Sequence, residues 1–442
     1  MESEEGGPVA RILRAVSRVE ANEIRATVLS FLFVFLVMAA YYLLRPLRDA
    51  MASDWSREEV GVLWTLSFFV SLVAVIFYGG IISRIRFSRV VPSVYAFFAL
   101  TFLGFYAVAV VGNDGELIRQ SFYIWVSLFS LFNTSVFWSF ASGTFTKEQS
   151  RRLFGVIAVG ASLGAIAGPA ITTFFADTMG AINLMPIAAL MLVATLPIAA
   201  RLETLKSGEL GNAGLEADLT RQQELARNPF SGIGLFFSHS LLRGIGLFIF
   251  LYVLMNTIFY QELREALQPF ELDQRTRIQS GIDLAVNSLA ILTGMLLTGR
   301  LATRLGVATT LALVPVLLAG GWLVLAAMPL LSVTVGLQIA RRAGNYAITR
   351  PAREMLFTMV DSETRYKAKP VVDIVIYRGG DVVNVWFYNF LTASWGLGMT
   401  LSGVAVIAAV LSLVWAGVGY RLGKRFDSDD NAAAARAILG KS

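Results

Sequence analysis

The chain has 442 residues, 56% of them hydrophobic and only 15% charged, and its mean hydropathy is +0.64. So apolar a composition excludes a soluble globular protein of this size and points to a polytopic α-helical membrane protein. Cysteine is absent and histidine occurs once, at His239, which excludes disulfides, thiolate nucleophiles and histidine-based metal chemistry; the net charge of +6 falls mainly on one side of the predicted spans and gives no argument for nucleic acid.

Windows of about 20 apolar residues, the length that crosses the hydrocarbon core, place spans at 27–46, 61–82, 90–111, 121–143, 153–175, 182–200, 241–262, 279–300, 306–327, 329–350, 371–392 and 398–420. Ahead of them, Arg11, Arg14, Arg18 and Arg25 occur without the apolar core and cleavage site of a leader, so 1–26 reads as a retained cytoplasmic segment. The first span ends in Tyr41, Arg45, Arg48 and Asp49, with Arg45 and Asp49 one helical turn apart. These side chains are either interfacial anchors or substrate contacts. Gly79 and Arg84 follow the second span. The fourth carries Asn133, Trp138 and Ser139, where the indole serves for packing or for stacking a base. The fifth reads Gly155-x8-Gly164-x3-Gly168-Pro169, in which glycines let helices approach closely and the proline introduces a kink. Residues 201–240 are the only long internal polar stretch and read as a linker between a six-helix half at 27–200 and another at 241–421, with a tail at 422–442. In the second half, Asp283 lies in the eighth span, and Gly299 and Arg304 lie where it meets the ninth.

Two stretches require charge inside the membrane. From Val307 to Ala340 there are 34 residues without a charge, broken by a turn near Met328-Pro329. Removing roughly four turn residues leaves about 15 per helix, or about 22 Å, against a hydrocarbon core of about 30 Å. The tenth span must therefore continue past Arg341 and Arg342. The 39 uncharged residues from Val382 to Tyr420 must likewise supply two spans and a turn, so the eleventh begins upstream and takes in Arg378 and Asp381. An ionisable residue at mid-depth costs about 2.5–3.5 kcal/mol on insertion scales and faces a polar cavity or a partner. Arg341, Arg342 and Asn345 are spaced to share a face, and Asp373, Tyr377, Arg378 and Asp381 recur down the eleventh span. Such stripes form either a substrate site or an internal charge network. An arginine fork holds phosphate or carboxylate bidentately, and the aspartates read as its partners.

With the amino terminus inside, the basic loops fall on the cytoplasmic side and both termini are cytoplasmic, as expected for a bacterial inner-membrane protein. The halves also repeat. Leu47-Arg48-Asp49-Ala50-Met51 after the first span matches Leu263-Arg264-Glu265-Ala266-Leu267 after the seventh, and Gly79-x3-Ser83-Arg84 matches Gly299-x3-Thr303-Arg304. Two parallel six-helix halves are the arrangement of the major facilitator superfamily, so the expected fold is all-α with twelve transmembrane helices. The Gly79 and Gly299 segments resemble that superfamily's loop signature, with Ser83 and Thr303 in place of the usual aspartate. That resemblance implies a gating role for Gly79, Arg84, Gly299 and Arg304. Gly164, Gly168 and Pro169 similarly resemble its antiporter signature.

The blocks YYLLRPLRD (41–49), VFWSFASGTFTKEQSRRLFG (136–155), IDLAVNSLAILTGMLLTGRLATRLG (282–306) and RRAGNYAITRPAREMLFTMVDSETRYKAK…YRGGD (341–381) resemble the ATP/ADP translocase family of nucleotide antiporters, and most closely its shorter relatives in free-living bacteria. The resemblance implies counter-exchange of ATP for ADP or of other nucleotides. It also implies that Arg45, Arg48 and Asp49 fall on the family's Leu-Arg-x-x-Lys-Asp motif, Glu148 on its acidic residue after the fourth helix, and Arg378 on its basic residue before Gly-Gly. Arg48 stands where the exchangers carry lysine, and Pro46 replaces their acidic residue.

The chain contains no glycine-rich phosphate loop and no HExxH pair, so no enzyme activity, cofactor or metal is expected. The expected activity is antiport of a phosphorylated anion, preferably a nucleotide, by a monomer in contact with membrane lipid. Arg45, Arg48, Asn133, Trp138, Arg341, Arg342, Asn345, Tyr377 and Arg378 are the expected substrate contacts. Two alternatives stay open. One is proton-linked transport of another organic anion, with Asp49, Asp283, Asp373 or Asp381 as proton carrier. The other is a membrane scaffold or sensor that does not transport.

Overall fold

A computed structural model describes the backbone of residues 19–82, 87–112, 115–212, 233–296, 298–360, 364 and 371–439. Side chains are described over the same residues except 79–82, 87–89, 233, 235, 294–296, 298–303, 373–374 and 429–439. Among the described residues every regular element is helical. The principal helices are α1 (Ile24–Met51), α2 (Arg57–Ile82), α3 (Phe87–Val110), α4 (Glu116–Thr144), α5 (Lys147–Met179), α6 (Leu184–Ser207), α7 (Ser240–Leu267), α8 (Leu272–Leu296) and α9 (Thr298–Ala327). Then come α10, built from Leu331–Gly344, a wide π-helical turn Asn345–Thr349 and Arg350–Leu356, and α11, built from a wide turn Val372–Arg378 and Gly379–Thr392. The last is α12 (Leu401–Leu439).

The twelve helices fall where hydropathy and the uncharged runs require them. Among the described residues, nine helices are long and apolar enough to cross a membrane on length and composition alone. The other three, α8, α10 and α11, carry Asp283, Arg341 with Arg342, and Arg378 with Asp381. α10 continues past Arg341 and α11 starts above Arg378, as the span count demands. The helices overrun their predicted ends. Leu47–Met51 and Leu263–Leu267, expected just beyond the first and seventh spans, are the last turns of α1 and α7. Their charged side chains find protein partners, so the backbone has no reason to leave the helix. α12 likewise continues through most of the expected tail.

The chain forms two compact units. One takes the described residues of Met1–Ala52, Phe69–Arg227 and Phe270–Leu284; the other takes those of Ser53–Phe68, Asn228–Pro269 and Ala285–Ser442. α2 and α8, the second helix of each half, therefore both run through two units.

In the first unit α5 lies directly on α1. A Cβ on Gly160 would come 2.5 Å from the carbonyl oxygen of Phe31, one on Gly168 would come 2.6 Å from that of Ala39, and one on Gly164 would overlap that of Phe35. Nothing larger than glycine fits a backbone-to-backbone contact of this kind. Gly155, the first glycine of the predicted pattern, faces open space. Gly160-Ala161-Ser162-Leu163-Gly164 also spells G-x-S-x-G, but it lies mid-helix, with the Ser162 hydroxyl donating to the Ala158 carbonyl at 3.3 Å, and lacks the strand-to-helix turn of a hydrolase nucleophile. α5 begins in a capping box. The Thr146 hydroxyl accepts from the Gln149 backbone at 3.3 Å and the Gln149 carboxamide accepts from the Thr146 backbone at 3.0 Å.

In the second unit the chain turns at Gly306, whose φ of 74° is in the left-handed region. Asp427 of α12 accepts hydrogen bonds from the backbone of Val307 at 3.0 Å and of Ala308 at 3.1 Å. A carboxylate at a helix N-terminus satisfies free N–H groups and opposes the dipole. It does so one residue beyond the loop in which Thr303 stands for an aspartate.

Candidate functional site

Among the described residues, one charged cluster forms inside the membrane-spanning helices of the first unit, and another lines a cavity in the second. In the first, the Arg45 guanidinium on α1 lies 3.7 Å from Asp49 and 3.5 Å from Asp283 on α8. Arg48 binds Asp49 at 2.7 Å, donates to the Ser127 hydroxyl at 3.3 Å, and lies over the Tyr123 ring at 5.4 Å. Two guanidiniums thus meet two carboxylates. The balance explains how α1, which supplies three of these ionisable groups, and α8, which supplies Asp283, keep all four near one another within a membrane.

In the second unit a cavity of about 550 Å³ opens between α7, α10 and α11. Among the described residues its charged lining is Arg350, Arg353 and Arg378 with Glu354 and Asp381. Tyr252, Tyr346 and Tyr377 add three phenol rings, and Asn345 adds an amide. Arg353 is buried. It donates to the Tyr377 hydroxyl at 2.6 Å and to Glu354 at 3.2 Å, while its Nε has no partner among the described residues.

The wide turns decide which residues face this cavity. In an α-helix Thr349 would share the face of Asn345. In a π turn bonding runs from i to i+5, the Arg350 N–H donates to the Asn345 carbonyl, and Asn345 and Arg350 line the cavity together. The turn in α11 has the same effect, since Val372 and Tyr377, also five apart, both face the cavity. π turns concentrate at functional sites.

Of the predicted substrate contacts, Asn345, Tyr377 and Arg378 come together here, joined by Asp381, which was expected in the charge network. Arg341 is fully buried and does not line the cavity. Gln338 accepts from it at 2.8 Å and Asn256 at 2.9 Å, and it lies over the rings of Tyr252 and Phe259 at 5.8 and 5.6 Å. Its Nη1 has no partner among the described residues. It places a positive charge directly behind Tyr252, a wall of the cavity. Arg342 is buried outside the lining.

Arg45, Arg48, Asp49 and Asp283 form the cluster of the first unit. Asn133 is buried with its side chain on the Thr134 backbone, and Trp138 packs against Phe137 edge-on and Phe154 at a tilt, each at 5.2 Å. Glu148 is exposed in the first turn of α5, and Arg304 is exposed. Gly164, Gly168 and Pro169 are buried in α5, with the two glycines against α1. The side chain of Asp373, the surroundings of Gly79 and Gly299 and the whole of Arg84 lie outside what the structure describes. Arg350, Arg353, Glu354, Tyr252 and Tyr346 were not among the predicted contacts. Arg353 and Glu354 lay beyond the end of the tenth hydropathy window. The spacing from Asn345 to Arg350 matches no α-helical period.

A third polar cluster joins the first turns of α2 to α7 and α11, all within the second unit. Arg57 grips Glu265 with two bonds, at 2.5 and 2.6 Å, donates to the Thr392 carbonyl at 3.0 Å, and lies over the Tyr388 ring at 5.9 Å. Arg264 donates to the Trp55 carbonyl, and the Asn389 amide donates to the Arg57 carbonyl at 3.0 Å.

The sequence profile of the Major Facilitator Superfamily matches residues 30–348. No curated protein sequence matches significantly. Among solved structures, the chain is similar to a POT family transporter in complex with 5-aminolevulinic acid, at 12% identity over 91% of this chain and 96% of that one, with a TM-score of 0.63. It is also similar to a POT family transporter in complex with a thioalcohol-conjugated peptide, at 13% identity over 89% and 95% of the two chains, TM-score 0.62. A third is a bacterial homologue of the human lysosomal transporter Spinster, inward-facing and unoccupied, at 12% identity over 91% and 98%, TM-score 0.59. At these identities the likeness is one of fold. The profile covers most of the chain, and the helices follow in the order that two six-helix halves require, so this multi-pass membrane protein belongs to the Major Facilitator Superfamily of secondary transporters.

Proposed function

We propose that the chain carries a phosphorylated organic anion, with a nucleotide as first candidate, by antiport through alternating access. The observation that carries this reading is the cavity of the second unit, where, among the described residues, Arg350, Arg353 and Arg378 stand beside three tyrosines. Its volume of about 550 Å³ suits a small organic ligand, for which cavities run from about 300 to 1,000 Å³. Guanidiniums match the geometry of phosphate oxygens, and phenol rings offer faces for a planar base. The nucleotide itself is suggested by the resemblance of residues 341–381 to the ATP/ADP translocases. Arg45 and Arg48 are engaged by Asp49 and Asp283, so in this reading they belong to the moving charge network, and Arg350, Arg353 and Arg378 hold the phosphate. The bias of basic residues toward one set of loops supports the reading that both termini lie on the cytoplasmic side, in a bacterial inner membrane.

The test is uptake of labelled ATP into proteoliposomes preloaded with ADP or with buffer. Uptake is expected only with internal ADP, and Arg378→Ala is expected to reduce it at least about ten-fold, the equivalent of one charge-assisted hydrogen bond. Uptake of equal size into both kinds of vesicle would overturn exchange. No uptake in either would overturn the nucleotide, and thermal-shift measurement against other phosphorylated metabolites would then identify the anion.

A further inference from the structure

Glu262 on α7 has no place in the anion cavity, yet it is a carboxyl group buried in a membrane-spanning helix. Its contacts are unequal to that placement. The groups facing it are Glu265 and Arg264 of its own helix, Tyr388 of α11 and Arg57 from the start of α2. Both cations are taken by its neighbour: Glu265 binds Arg57 bidentately and lies 3.4 Å from Arg264, whose Nε donates to Gln261 at 2.9 Å. Glu262 itself accepts one hydrogen bond, from the Tyr388 hydroxyl at 3.1 Å, and makes no ion pair among the described residues. A buried carboxylate without a bound cation and beside a second carboxylate relieves its cost by taking a proton.

We propose that Glu262 is a proton-binding site that holds the α2–α7–α11 latch shut, and that its deprotonation releases the first turns of α2. The second negative charge then weakens the joint, because Arg57 cannot pair bidentately with two carboxylates at once. This couples movement of the latch to a proton whatever the cargo is, so it goes beyond the anion reading and stands or falls separately from it. It also differs from proton carriage by Asp49 or Asp283, both of which lie beside arginines.

The natural absence of cysteine allows spin labels at two exposed positions of the latch, Val62→Cys and Leu397→Cys, in the full chain reconstituted in lipid nanodiscs without substrate. The distance distribution between them is then recorded by pulsed electron paramagnetic resonance across a pH series. Raising the pH is expected to convert a short-distance population to a longer one, the ratio changing by up to about ten-fold per pH unit where one linked proton dissociates. Glu262→Gln, which mimics the protonated acid, is expected to stay short at every pH. Tyr388→Phe, which removes the hydroxyl that stabilises the carboxylate, is expected to move the transition to higher pH. One distance at all pH values in the Glu262 protein overturns the proposal, as does an unchanged transition in Glu262→Gln. Should that variant not fold, an unshifted transition in Tyr388→Phe overturns it instead.

Discussion

Arg45 shows how a single charge is made tolerable inside a membrane. It shares Asp49 with Arg48 and reaches Asp283 on α8, and its side chain keeps only 19% exposure. Removing one member of a buried pair leaves the other unpaired, at a cost of about 3–5 kcal/mol, whereas neutralising both costs much less. Arg45→Gln is therefore expected to lower the thermal unfolding temperature in detergent markedly, and the double variant Arg45→Gln with Asp283→Asn to recover most of the loss. A double variant no more stable than the single one would remove the pair from this account. Half of the cluster is legible in the sequence, because Arg45 and Asp49 are one turn apart. The other half is not, since Asp283 comes from a different half of the chain and composition carries no record of which helices meet.

At the scale of the element, the wide turns of α10 and α11 set the cavity. Each holds one residue more than the α-helix around it, so the extra residue can be removed without turning the flanking segments against each other. Deleting Ile348 from the turn Asn345–Thr349 brings Asn345 and Arg350 to an i, i+4 relation on the same face. Deleting Leu337 from the regular helix instead rotates everything beyond it by about 100°. The first deletion is expected to give a folded, monodisperse protein on size-exclusion chromatography and the second to give aggregate. Equal behaviour of the two would mean that the wide turn does not set the register. Hydropathy located α10 and α11, and the short uncharged runs required their charges to lie within the membrane. The turns themselves were invisible, because a π turn is a choice of backbone bonding with no residue signature of its own. The same limit hid Asp427, which supplies from α12 the carboxylate missing beside Gly306.

At the scale of the whole molecule, α2 belongs to the first half in chain order, but its first turns pack in the second unit. A secondary transporter that works by alternating access must undo such a joint at some point in its cycle. A Cβ built on Gly61 would lie 2.9 Å from the Asn389 amide nitrogen, so cysteines at these two positions replace that contact with a covalent one. The variant Gly61→Cys with Asn389→Cys is expected to transport when reduced and to stop when oxidised, in a chain with no other cysteine to confuse the result. Equal uptake in both redox states, with the disulfide verified by mass spectrometry, would show that this end stays closed throughout transport.

The glycine face of α5 places an uneven constraint on how this sequence can diverge. Gly160, Gly164 and Gly168 meet the carbonyl oxygens of Phe31, Phe35 and Ala39, and every amino acid has a carbonyl oxygen. At these crossing points α1 is free to change its side chains so long as it stays helical, while α5 accepts nothing that carries a Cβ. Among natural variants of the chain, substitutions should therefore accumulate on one side of the contact and be purged from the other.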